Sequence, residues 1–329
     1  MEGHHPKTVL IIGGTGKVGR QLTKLFAETS VQVYQAFRKG SATTESGAEN
    51  IKPIAFDWND KKTWDTVLEI GATSVFLVAP PGGPLPPVEL FIDQARLKGH
   101  VKRFVLLSGS PVEPDINSLG MGRPHAYLKQ LGEKGEVEWA AIRPTWFQQN
   151  FAELENYRDS IVKEGVIYSA TGDGKIPWVA TEDIAACAFQ LLTQKDAPND
   201  EYLILGPELL SYGDIAEILS KTLGREITHK DLSVDELVDY YVRQGLPTHI
   251  AEMLGNADMA IRNGSENRMN SVVVDLTGKR PARFCDFAEK NKRLWAQNVS
   301  AKLYPFTVLD GICVAESNGS SLSINANTP

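Results

Sequence analysis

Thr8-Val9-Leu10-Ile11-Ile12-Gly13-Gly14-Thr15-Gly16-Lys17-Val18-Gly19 is the stretch whose reading decides the fold. Its first five residues form a short apolar run of the kind that makes a strand buried on both faces. Val18, Leu22, Leu25 and Phe26 then recur at helical spacing, so the glycines occupy a turn between a strand and a helix. Gly14, Gly16 and Gly19 satisfy G-x-G-x-x-G, and Gly13, Gly16 and Gly19 satisfy G-x-x-G-x-x-G. Where side chains are missing, a pyrophosphate can approach the backbone and the positive end of the helix. Glycines that only serve a tight turn are the plainer alternative, but the strand before and the helix after favour a dinucleotide cradle of Gly13, Thr15, Gly16, Lys17 and Val18.

Working outward, strand-like runs recur at residues 31–37, 51–56, 73–79, 104–108 and 137–142, separated mostly by segments that can hold a helix. That alternation predicts an α/β fold, a Rossmann-type parallel sheet with helices on both faces. After Pro144 the strands become short and the helices carry their own start signals. Thr181-Glu182-Asp183 precedes one helix, Ser211 precedes a second that ends at Gly224, and Ser233-Val234-Asp235-Glu236 reads as a capping box. These elements predict a smaller C-terminal substrate lobe over the open edge of the sheet. The expected division is a cofactor-binding core over residues 1–150, a lobe over 151–295 interleaved with the end of the core sheet, and a loosely held extension over 296–329. Within the extension, residues 304–314 are apolar enough to dock on the body or on a neighbouring subunit.

The 329 residues carry 34 Lys and Arg against 41 Asp and Glu, a net charge of −7 that disfavours nucleic acid and anionic membrane as partners. Three distant cysteines, Cys187, Cys285 and Cys313, make neither a disulfide framework nor a zinc site, which fits a reducing compartment. With no secretory pattern at the N-terminus and no long apolar span, the expectation is a cytoplasmic protein, monomer or homodimer, without a metal. His4 and His5 read as part of a solvated terminus.

A free ribose 2′-hydroxyl usually meets an acid at the end of the second strand, but here that place holds Arg38-Lys39. A guanidinium grips a 2′-phosphate through two parallel hydrogen bonds, so NADP(H) is the expected cofactor. Arg38 capping a surface strand is the alternative. By position alone, Asp57 is expected beside the adenine, Ala79-Pro80-Pro81 beside the cofactor's middle, and Pro144 at the end of the sixth strand. A dehydrogenase relay needs a Tyr with Lys four residues on, and none of the nine tyrosines has one. Tyr127 has Lys129 two residues on, Ser108 and Ser110 after the fifth strand stand where the usual serine would be, and His125 is divided between pocket and structure; Ser108, Tyr127, Lys129 and His125 are the catalytic candidates. Hydride addition to an iminium cation yields a neutral amine without a proton, so a C=N⁺ substrate can dispense with the relay. Trp146, Phe147, Tyr168 and Trp178 are the candidate aromatic faces for such a cation, though large aromatics are more often core.

Gly13-Gly14-Thr15-Gly16, Phe104-Val105-Leu106-Leu107-Ser108, Arg143-Pro144-Thr145-Trp146-Phe147 and the stretch 168–177, extended by 205–212 and 223–229, resemble the NmrA-like atypical short-chain dehydrogenases. More narrowly they are similar to the fungal ergot-alkaloid reductases, over roughly residues 7–295. The resemblance implies a nicotinamide cofactor and a small-molecule substrate, a cyclic indole-alkaloid iminium. The extension, a longer loop near 131–136, and the tyrosine and lysine of His125-Ala126-Tyr127-Leu128-Lys129 depart from the family pattern and point to a changed substrate. Two outcomes stay open: net reduction of the C=N centre, or redox coupled to a Diels–Alder-type (4+2) cyclisation. A third alternative is a non-catalytic regulator of the NmrA type that senses dinucleotide and binds a protein partner.

Overall fold

The computed structural model describes residues 8–38, 47–80 and 88–296, together with the backbone of 306–309 and 312–315. The core elements are β1 (Thr8–Ile11), α1 (Lys17–Ala27), β2 (Gln32–Phe37), β3 (Ile51–Ala55), α2 (Lys62–Leu68), β4 (Ser74–Leu77), α3 (Val88–Leu97), β5 (Arg103–Leu107), α4 (Gly122–Glu133) and β6 (Glu138–Pro144). The chain continues through α5 (Asn150–Glu153), α6 (Glu155–Lys163), β7 (Val166–Ser169), α7 (Thr181–Thr193), β8 (Asp200–Ile204), α8 (Tyr212–Leu223), β9 (Thr228–Asp231), α9 (Val234–Arg243), α10 (Thr248–Arg262), α11 (Val272–Thr277), α12 (Phe284–Asn291) and a 3-10 turn at Lys292–Trp295. β10 (Phe306–Leu309) and β11 (Ile312–Ala315) pair antiparallel. The expected loose attachment of the extension, the docking of 304–314, and His4, His5, Lys39 and Pro81 lie outside the described residues.

Seven strands form one sheet in the order β3-β2-β1-β4-β5-β6-β8, and every neighbouring pair is parallel. The chain winds one way from β1 to β3 and the other way from β4 to β8, so the crevice above the carboxyl ends of β1 and β4 is the topological switch point. The apolar run of β1 is continuous because both its faces are covered. Val9 and Ile11 pack with Val18, Leu22 and Phe26 of α1 and Ile184, Leu191 and Leu192 of α7. Leu10 and Ile12 pack on the other face with Trp64 of α2, Phe91 and Ile92 of α3 and Leu128 of α4. Among the described residues no helix is long and apolar enough to cross a membrane.

A third core, with Phe151, Trp178, Tyr212, Leu219, Tyr241 and Phe284, belongs to the C-terminal lobe, where β7 and β9 pair in a small parallel sheet. β8 returns to the main sheet beside β6, so lobe and core interleave. Ser211 with Asp214 and Ser233 with Glu236 close reciprocal capping boxes at the starts of α8 and α9, and Gly224 ends α8 at φ +64°. α7 starts differently: Thr181 is already helical, and its amide donates to Gln149 Oε1 (3.0 Å), so the cap comes from the loop after β6.

Arg103 is the least expected core residue, a fully buried guanidinium in β5. It donates to Glu138 Oε2 of β6 (2.6 Å) and to the carbonyls of Leu191 (3.1 Å), Gln194 (2.6 Å) and Asp196 (3.1 Å) at the end of α7. A cation at a helix C-terminus meets carbonyls that lack helical partners and the negative end of the dipole. Replacing it would leave several acceptors buried and unpaired. Arg103→Met is expected to lower the free energy of unfolding by about 3 to 5 kcal/mol, read as a lower urea midpoint at unchanged slope.

Candidate functional site

The site begins at the turn out of β1. Gly13 has φ +73°, and a Cβ there would sit 2.9 Å from Val78 Cβ at the end of β4. A Cβ at Gly19 would lie 2.2 Å from the Gly13 carbonyl oxygen, so α1 is pressed against its own turn at a distance only glycine permits. The Gly16 amide donates to Gly13 O (2.9 Å) and Gln35 Nε2 of β2 donates to Gly14 O (2.8 Å), which fixes the turn from below. Gly16 caps α1 without a side-chain hydrogen bond, and the first turn carries no acid. The first amides of α1 have no helical partner and carry the positive end of the dipole, so this end suits a phosphate.

Around the turn the expected cofactor residues fall into two groups. Thr15 and Gly16 line the cradle by backbone, while Val18 turns its side chain into the core and offers only its amide. Lys17 is buried, its Nζ donating to Asn150 Oδ1 (2.9 Å), and Arg20 pairs with Glu153 (3.2 Å), so the cradle is tied to α5. Arg38 stands exposed directly after β2, where a 2′-phosphate would lie. The Asp57 carboxylate after β3 accepts from the Asn59 amide (2.8 Å), and Ala79 and Pro80 follow β4 at the same edge. A basic group at the β2 end and an uncapped, acid-free helix start fit a dinucleotide bearing a 2′-phosphate.

Beside this edge is a cavity of about 50 Å³. Ser110, Pro144, Thr145 and Trp146 beyond the ends of β5 and β6 form one wall; Ala257, Ala260 and Ile261 of α10 with Ser265 and Glu266 form the other. Glu266 is buried, accepting from Ser110 Oγ (2.5 Å) and from Thr145 Oγ1 (3.0 Å). Arg268 Nη2 lies 3.5 Å from the same carboxylate. Nothing in the sequence marks Glu266, which stands in a polar run after α10 that reads as a surface turn. Ser110 and Thr145 adjoin expected residues, but their shared acceptor could not be read from spacing.

The four catalytic candidates do not converge. Ser108 is fully buried and its Oγ has no hydrogen-bond partner among the described residues. Tyr127 Oη donates to Asp93 Oδ1 of α3 (2.8 Å), whereas Lys129 Nζ lies 3.9 Å from Glu201 of β8. Tyrosine and lysine thus face opposite sides of α4. Burial, then the Asp93 hydrogen bond, raises the Tyr127 pKa, which disfavours release of its proton. His125 is fully buried with Nε2 3.6 Å from Glu201, and burial lowers its pKa to about 4, so it is neutral at physiological pH.

The four aromatics separate as well. Trp146 lines the cavity. Trp178 backs it at a ring separation of 6.5 Å, with its Nε1 donating to Leu210 O (3.1 Å) in the lobe core. Phe147 is buried under the sheet against α7. Tyr168 lies on β7, donates to Glu164 Oε2 (2.6 Å), and stacks near Tyr240. Trp146, Phe147 and Trp178 are all buried core residues, Tyr168 is half-buried on β7, and only Trp146 lines the cavity.

The chain matches the model of the NmrA-like family over residues 5–276. Festuclavine synthase II of Penicillium roqueforti (strain FM164) is 42% identical, over 88% of this chain and 100% of that protein. Agroclavine dehydrogenase of Claviceps fusiformis is 38% identical over 88% of this chain and 98% of that protein. Among solved structures, an NADPH-dependent quinone oxidoreductase of Escherichia coli complexed with NADPH superposes with a TM-score of 0.72 at 20% identity, over 86% of this chain and 99% of that one.

α10 is held behind the cavity by Asp258, a buried carboxylate that accepts from the Ala170 amide (2.8 Å) and whose pKa burial raises to about 7. The folded protein therefore keeps a proton there that the unfolded chain releases near pH 4. Its contribution to stability is greatest below the unfolded pKa and falls as pH rises toward 7. Subtracting the stability of Asp258→Asn from that of the native protein is expected to give a difference that declines from pH 4 to pH 7, with a slope approaching about 1 kcal/mol per pH unit. A flat difference in chemical denaturation would remove Asp258 as the linked group.

Proposed function

This chain belongs to the NmrA-like family, and on that premise we propose that it is an NADP(H)-dependent oxidoreductase of indole-alkaloid biosynthesis acting at a C=N⁺ centre. The observation that carries the reading is the divergence of Tyr127 and Lys129, whose polar atoms are committed to Asp93 and Glu201 on opposite sides of α4. A carbonyl reductase must protonate a developing alkoxide, and this arrangement offers no paired donor for that task. A nicotinamide held there would supply hydride chemistry, which at a C=N⁺ centre gives a neutral amine with no proton required. The chain's own part is to bind, orient and exclude water. Gly13, Thr15 and Gly16 with the first amides of α1 receive the pyrophosphate, Lys17 adds a buried cation beside it, and Arg38 takes the 2′-phosphate. Asp57, Ala79, Pro80 and Pro144 border the cofactor along the carboxyl edge. Trp146 presents its ring to a flat cation, while Trp178 holds that wall from behind.

The relatives named festuclavine synthase and agroclavine dehydrogenase support the alkaloid assignment. N-methyl-dihydro-β-carbolinium with deuterated NADPH tests the chemistry. Reduction is expected to consume one cofactor per product and to leave one deuterium on the former iminium carbon. Ring formation that depends on NADP⁺ without net cofactor change would assign the coupled cyclase instead. Failure of both cofactor forms to change any indole imine or its dihydro precursor would leave the dinucleotide-sensing regulator.

Two substitutions sharpen this. Arg38→Ala is expected to weaken NADPH by about 1 to 3 kcal/mol and leave NADH nearly unchanged, measured by titration of cofactor fluorescence; equal losses would remove the 2′-phosphate contact. Tyr127→Phe is expected to slow turnover far less than the ~10²-fold that loss of a general acid brings.

A further inference from the structure

The cavity beside the carboxyl edge holds one acidic group that no sequence feature announced. Glu266 comes from the turn after α10, yet its carboxylate reaches across to the sheet and is buried there. Each oxygen receives one hydroxyl hydrogen bond, Oε1 from Ser110 and Oε2 from Thr145, so the group is aimed by residues of both β5 and β6 extensions. Two neutral hydroxyls orient a carboxylate without cancelling its charge, and each carboxylate oxygen can accept more than one hydrogen bond. Arg268 is the neighbouring cation, its side chain 39% exposed, and its Nη2 forms a long ion pair with Oε1 at 3.5 Å. Part of its guanidinium is spent on the Ser110 carbonyl (3.3 Å). The rest of the lining is largely apolar: Pro144 and Trp146 across from Glu266, and Ala257, Ala260 and Ile261 of α10 on its own side. A ligand group entering this space meets an aromatic ring and an anion together.

We infer that Glu266 is the specificity-determining counter-charge of the pocket, selecting substrates whose C–N end is cationic over neutral molecules of the same shape. The inference rests on the proposed iminium substrate and names the residue that recognises its charge. In a water-poor cavity, an oriented carboxylate stabilises a cation far more than it would in solvent, while a neutral isostere gains nothing from it. Ser110 and Thr145 act through Glu266 as positioning residues. Arg268 opposes the selection by drawing on the same carboxylate.

Binding of two inert probes to the protein saturated with NADPH separates charge from shape: N-methyl-β-carbolinium, a permanent cation, and β-carboline at mildly alkaline pH, where it is uncharged. The native protein is expected to prefer the cation by about tenfold or more, the ratio that about 1.4 kcal/mol provides. Glu266→Gln is expected to abolish that preference by weakening the cation alone, with NADPH affinity unchanged, and Glu266→Asp to restore part of it. Arg268→Gln is expected to move the ratio the other way, tightening the cation. In turnover of N-methyl-dihydro-β-carbolinium, Glu266→Gln is expected to act on KM. Equal weakening of both probes would mark Glu266 as structural, and a fall in kcat at constant KM would mark it as a proton carrier; either overturns the inference. So does a native protein that binds the two probes alike, an outcome that needs no variant to fold. If the native protein reduces the iminium yet the ratio is unmoved by Glu266→Gln, only this inference fails. If it neither binds nor reduces any indole iminium, the functional reading falls and this inference with it.

Discussion

The contact between Gly19 and the Gly13 carbonyl sets the rest of the molecule. Any side chain at residue 19 would stand 2.2 Å from that oxygen, so the start of α1 and the end of β1 are fixed to one another without slack. The helix dipole is thereby aimed at one point above the sheet, between β1 and β4, where the winding direction reverses. Gln35 braces the same turn from β2, and Lys17 passes the constraint to Asn150 at the head of the lobe. A backbone approach between residues six apart thus positions elements more than a hundred residues apart.

The same edge carries an unusual distribution of polar groups. In a carbonyl reductase one would look for hydroxyl and ammonium groups converging near the hydride. Here the helix that follows β5 turns Tyr127 toward α3 and Lys129 toward β8. Two of the three hydroxyl residues that line the cavity, Ser110 and Thr145, are turned to a single carboxylate. The electrostatic character of the pocket is therefore that of an anion held in place, a setting that stabilises positive charge and resists its build-up in the opposite sense.

How much of this was legible follows from the range of each interaction. The strand–turn–helix at the N-terminus, the alternation of β and α elements and the capping boxes at Ser211 and Ser233 are local, and local patterns are written in consecutive residues. The place of Arg38, exposed directly after β2, was legible for the same reason, because it follows from a fixed count from the glycines. The aromatics were not: Trp146 and Trp178 look alike in sequence, and only the packing of Phe151 and Tyr212 around Trp178 decides which is core and which is wall. Arg103 and Glu266 were invisible, since a charged residue is buried only where partners from distant segments meet it. Leu191, Gln194 and Asp196 supply them for the first, Ser110 and Thr145 for the second.

α10 joins two tasks on opposite faces. Asp258 and Arg262 fasten it to the Ala170 backbone, while Ala257 and Ala260 look into the cavity. The residues that anchor the helix are thus separate from the residues that shape the pocket. Exchange of a small side chain for a larger one at 257 or 260 changes the room available to a ligand while the anchor, the sheet and the dinucleotide cradle stay as they are. A lineage built on this scaffold can change the shape of the ligand it admits through two alanine codons, without first solving the folding problem again.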